Sequence, residues 1–216
     1  MMAKPSVRSV FLFASRHETM NRNISIHTPH GTLHGQLELP ENPRGLILLA
    51  RAHHAPVDAV IAAGFVTDDY ATLTMELLSS QEAQFVDATQ NVPRLTQRLL
   101  DILDLIRQDG DMQDLPLAIY ATGDSCPAAL RATAQRDTQV QALGCHGGLI
   151  DRAGLQALKL MVGPLLSIFD DDDDIGKTAF ERAASHLACT HQMHVLKISE
   201  DPVSVAASWF SRNLAR

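Results

Sequence analysis

From Ile24 onward the apolar residues fall into short runs whose spacing changes repeatedly between two periods. In "ISIHTP" and "TLHGQLELP" apolar and polar residues alternate, which predicts two strands with one buried face each, joined by a turn at Pro29 to Gly31. "GLILLARA" is continuously apolar and suits a strand buried on both faces. A short helix is expected from Val57 to Ala63, ended by Gly64, and "YATLTMELL" then reads as the next strand. Leu95, Leu99, Leu103 and Ile106 recur at helical spacing. After them come "LPLAIYATG" (strand), "PAALRATAQR" (helix), "VQALGCHGG" (strand), "AGLQALKLM" (helix) and "GPLLSIFD" (strand). A helix carrying Phe180, Ala183, Ala184 and Leu187 on one face follows, then the strand "MHVLKIS" and a helix from Pro202 to Leu214.

Two leading strands and six further strand units, most separated by helices, specify an α/β fold: a mostly parallel, eight-stranded sheet with helices on both faces. Residues 24–216 read as one domain, a size that supports one sizeable core, and residues 1–23 as an N-terminal extension. The apolar run Val10 to Ala14 behind basic residues is shorter than the core of a secretory signal. An added edge strand and a start at Met20 are the two readings of that extension.

The formal net charge of −7 argues against a nucleic-acid partner, which would need a clustered basic surface. No apolar stretch is long enough to span a bilayer. Cys126, Cys145 and Cys189 are odd in number and widely spaced, so reduced thiols in a cytoplasm are expected, with no disulfide framework and no metal site. A calcium loop in "DDDDDIG" fails on spacing. With Asp171 as first ligand, Ile175 falls at the fifth place and Arg182 where a bidentate glutamate is required.

In parallel sheets function gathers in the loops at the carboxyl ends of the strands, and "GDSCP" lies at one of them. The order of elements, with "LHGQLELPENPRGLILLA", "AGF", "CHGGLIDRAG" and "GPLLSIFDD", resembles the α/β-hydrolase superfamily and, within it, dienelactone hydrolase-like small esterases, over about Ile24 to Leu214. The resemblance implies a nucleophile elbow, Gly-x-Ser-x-Gly, on a strained strand-to-helix turn. Gly123, Ser125 and the backbone N–H of Cys126, an oxyanion donor, match it; Pro127 replaces the second glycine and is expected to bias Cys126 away from helical geometry. The other reading of Ser125 is a helix cap. The implied acid is Asp172, with Asp171 or Asp173 as alternatives.

The histidine implied after the last strand is missing, because only Ser199, Glu200 and Asp201 precede Pro202. Asp201 is expected to cap the final helix, with Pro202 at its first position. His194, taken as an early residue of that strand, would lie roughly 16 Å from its catalytic end. His53 and His54, in "ARAHHAPVD", follow the third strand at the same sheet edge and are the candidate displaced bases, with polar loop residues as the other reading; His146 is a more distant candidate. Two functions are therefore in play. One is a non-hydrolytic protein with an incomplete triad that binds a small molecule or associates with itself as a homodimer. The other is a serine carboxylic-ester hydrolase using Ser125 with His53 or His54, with no cofactor in either case.

Overall fold

The computed structural model describes residues 19–28, 31–52, 56–85 and 87–214. A leading antiparallel hairpin, β1 (Met20–Thr28) and β2 (Gly31–Leu39), opens the fold. It is followed by β3 (Leu46–Arg51), α1 (Pro56–Thr67), β4 (Ala71–Glu76), α2 (Val92–Gln108), β5 (Leu117–Thr122) and α3 (Cys126–Gln135). Then come β6 (Val140–His146), α4 (Leu155–Leu160), β7 (Leu165–Phe169), α5 (Asp174–Ala184), β8 (His191–Val195) and α6 (Pro202–Asn213). All eight strands form one sheet in the order β1-β2-β4-β3-β5-β6-β7-β8, parallel from β4 to β8 and antiparallel between β1 and β2 and between β2 and β4.

Alternation along the central strands feeds two cores. Leu48, Leu73, Ile119 and Leu143 face α2, α3 and α5, while Ile47, Leu49, Tyr120 and Leu166 face α1 and α6. This is why β3, β5 and β6 read as continuous apolar runs: neither face meets water. The hairpin alternates because one face, with Leu33 and Leu37, joins the first core, while the other carries cross-strand polar pairs such as His27 with Thr32 and Ser25 with His34.

Three of the boundaries that differ from the sequence expectation bear on packing or on the rim. β1 begins at Met20, four residues before Ile24, paired in register with Leu39. The helix expected to stop at Gly64 continues to Thr67. A Cβ at Gly64 would come within 2.8 Å of Val203 Cγ1, so this glycine serves the close approach of α1 to α6 and not termination. Strand β8 ends at Val195, not at Ser199. After it Leu196 N–H donates to Phe169 O, and Glu200 accepts from Lys197 N–H, closing the chain into a turn before α6. His194 is consequently the penultimate residue of β8, level with Ile168 and through it with His146, and the long separation from the carboxyl rim does not hold. Its Nε2 lies 3.0 Å from Glu200 Oε2. The start of α6 follows expectation: Asp201 accepts from Ser204 N–H at 2.8 Å, with Pro202 in the first turn.

Candidate active site at the carboxyl rim of the sheet

The parallel strands end along one rim at Arg51, Glu76, Thr122, His146, Phe169 and Val195. Ser125 follows β5 there, in a 3-10 turn over Gly123–Ser125 that runs into α3. Its side chain nevertheless turns inward. Ser125 is 0% exposed, with Oγ 2.6 Å from Ala50 O and 2.8 Å from Thr122 O. The same oxygen accepts from Thr122 N–H at 3.2 Å. A hydroxyl has one proton and two acceptor positions: the proton is shared between two backbone carbonyls, and one acceptor position takes the Thr122 N–H.

The backbone conformation of the turn is displaced from the motif. Ser125 is right-handed helical, with φ −80° and ψ −16°. The left-handed residue is Gly123, at φ +55°, the first residue after β5. Gly123 is exposed, and a Cβ built there would meet nothing within 4 Å. In a nucleophile elbow the strained residue is the one that lifts its side chain into the open rim. That position is occupied by glycine, two residues before the serine.

Cys126 is the first residue of α3 and helical, with φ −56° and ψ −45°, so the bias imposed by Pro127 is overcome by continuation of the 3-10 turn into the helix. The Cys126 N–H donates to Gly123 O and is thus occupied. Its thiol is buried; burial first, then the hydrogen bond with the Cys145 thiol, pushes its pKa well above the usual thiol range. Burial of this thiol thus favours its protonated form.

The acidic segment after β7 behaves in the opposite way. Asp172 is exposed and has no side-chain hydrogen bond among the described residues. Asp173 caps α5, accepting from Gly176 N–H at 2.9 Å, and Asp171 is exposed. His53 and His54 lie outside the described residues. His146 is half-buried on the rim, with Nε2 3.9 Å from Asp170 Oδ1. Burial lowers its pKa, and Arg51 lowers it further, against the opposing pull of Asp170 and Asp173. Arg51 Nε is itself 2.6 Å from Asp58 Oδ1. Asp124, beside the elbow, accepts from Thr89 Oγ1 at 2.7 Å. Among the described residues no three His, Cys, Asp or Glu side chains are grouped to hold a metal ion.

Sequence reasoning missed two features of this rim. One is that Gly123, not Ser125, makes the elbow turn. The other is the doublet Gly147 and Gly148, both left-handed at φ +68° and +82°. A Cβ at Gly148 would stand 2.2 Å from Gly123 O, so the doublet lets the β6 loop press directly on the elbow. A glycine placed immediately after a strand, facing a later Gly-Gly, was the available signal.

No protein-family model matches the chain. It is 26% identical over 194 residues to a Mycobacterium tuberculosis protein called "Putative phosphoribosyl transferase", matching 83% of this chain and 44% of that protein. The chain thus spans less than half the length of that curated relative. Among solved structures, dienelactone hydrolase from Anabaena variabilis superposes with a TM-score of 0.82 at 23% identity, over 92% of this chain and all of that one. A cold-adapted esterase from an Arctic intertidal metagenomic library superposes with a TM-score of 0.70 at 14% identity, over 93% and 98% of the two chains. The fold is the α/β-hydrolase fold, as the order of elements implied.

Proposed function

We propose that this chain is a non-hydrolytic protein of the α/β-hydrolase fold that binds a small molecule at its sheet rim without covalent attack. The observation that carries this reading is the placement of the Ser125 hydroxyl, buried and bonded to Ala50 O, while the open elbow position is Gly123. A nucleophilic serine needs a hydroxyl that reaches substrate and a base that takes its proton. Here the proton is given to a main-chain carbonyl, and the oxyanion donor expected at Cys126 is engaged by Gly123 O.

The phosphoribosyl transferase name belongs to the longer relative. The matched stretch is under half of that protein. Exposed Asp124, Asp170, Asp171 and Asp172 also crowd this rim with negative charge, which opposes a phosphate-bearing substrate.

The test is labelling by a fluorophosphonate probe, read by intact-protein mass spectrometry, beside initial rates on p-nitrophenyl acetate. The expected result is no stoichiometric adduct, and the same weak turnover for wild type and Ser125→Ala. Stoichiometric labelling of Ser125, with activity lost in Ser125→Ala and equally in His53→Ala or His54→Ala, would instead establish a serine esterase with a displaced base. In that case the double mutant would lose little more than either single mutant.

A further inference from the structure

We propose that the groove between α3 and α4 is a second binding site, separate from the sheet rim, that takes a small organic carboxylate with an apolar chain. The groove encloses about 470 Å³ and is lined by Arg131 and Gln135 of α3 and by Gly154, Leu155 and Leu160.

Arg131 is the reason for the charge. It is half-buried, and its Nε donates to Ala153 O at 2.6 Å, which fixes the plane of the guanidinium. Arg51, Arg98, Arg136 and Arg182 each face a carboxylate. Arg131 has none within ion-pair distance among the described residues. Arg152 and Lys159, exposed on the neighbouring segments, add positive potential in a chain whose net charge is −7. A partly buried guanidinium with no counterion is well matched to a carboxylate, whose two oxygens fit its planar fork.

Leu155 and Leu160 are the reason for the apolar chain. They are 50% and 54% exposed beside the same guanidinium, so a hydrocarbon laid across them removes apolar surface from water. Gly154 keeps the two halves of the site connected. Its φ of +87° disfavours a side chain, and a Cβ there would approach Arg131 Nη2 to 3.4 Å.

Gln135 gives a test that keeps the fold. It is exposed, one helical turn beyond Arg131, so Gln135→Glu offers the guanidinium an internal carboxylate and should displace the ligand. Isothermal titration with decanoate, and with decanol as the uncharged chain, separates charge from tail. Wild type should bind decanoate saturably and decanol at least about tenfold more weakly; Gln135→Glu and Arg131→Gln should each weaken decanoate by about tenfold or more. Gln135→Glu should melt at the wild-type temperature. The proposal is overturned if decanol binds as tightly as decanoate, if Gln135→Glu binds decanoate like wild type, or if wild type shows no saturable decanoate binding below about 1 mM.

Discussion

The turn after β5 and the loop after β7 are the two places where a hydrolase of this fold would hold its serine and its acid, and here they have gone opposite ways. The first is packed shut: Ser125 is fully buried, and Gly148 lies against the elbow carbonyl. The second is open to solvent, with Asp170, Asp171 and Asp172 exposed and Asp173 holding the end of α5. A catalytic pair needs both side chains to emerge on one rim within reach of a third group. Here the hydroxyl links the turn after β5 to Ala50 of β3, and Asp170, Asp171 and Asp172 are exposed. The hydroxyl is thus taken up by backbone groups on one side, while on the other Asp173 caps a helix and its neighbours face solvent.

The sharpest way to break this contrast is to disturb the closed side. Gly148→Ala would place a Cβ 2.2 Å from Gly123 O, at a left-handed φ of +82°. Overpacking against rigid backbone and the left-handed penalty together predict a loss of about 3 kcal/mol or more, read from the urea midpoint. Unchanged stability would mean that the β6 loop does not bear on the elbow.

The next effect compares the two sides directly. Ser125→Ala leaves the buried acceptor at Ala50 and the Thr122 N–H without the hydroxyl, and should cost about 1 to 3 kcal/mol. Asp172→Ala, at an exposed position, should stay within about 0.5 kcal/mol of wild type. Equal losses from the two substitutions in urea titrations would erase the distinction drawn between the regions.

The order of strands and helices was legible because it rests on the periodicity of apolar positions, which local burial imposes directly. The capping of α6 by Asp201 was legible for a similar reason, since it is decided within four residues. What stayed hidden depends on contacts distant in sequence. Gly64 reads as a helix stop until Val203 of α6 is seen against it. The end of β8 at Val195 is set by Glu200 folding back onto Lys197 and His194, and no pattern within "MHVLKIS" announces it. At the elbow the Gly-x-Ser motif drew the reading to Ser125, but the register of the turn against β5 makes Gly123 the left-handed residue. Arg131 gave no signal at all, because a helical arginine is ordinary until its missing counterion is visible.

The smallest expected effect concerns the group that stands between the two regions. His146 ends β6, with the glycine doublet against the elbow following it and Asp170 of the acidic loop facing it. Burial is the largest influence on its imidazole and lowers its pKa below the usual 6.5, with Arg51 acting the same way and Asp170 and Asp173 opposing. The folded protein therefore favours the neutral ring more than the unfolded chain does. As pH falls through the ordinary histidine range, the unfolded state takes up the proton first, so stability declines from above 6.5 down through the folded value and then levels off. The depressed carboxylates of Glu200 and Asp201 contribute stability that is lost as pH falls from the usual carboxylate range through their lowered values, a window below that of the histidine. Urea midpoints measured from about pH 8 to about pH 5 should show a shallow decline in wild type that His146→Gln flattens. An opposite slope, with wild type gaining stability on acidification relative to His146→Gln, would mean that Asp170 and Asp173 dominate this imidazole and that the open loop, not the packed elbow, sets its environment.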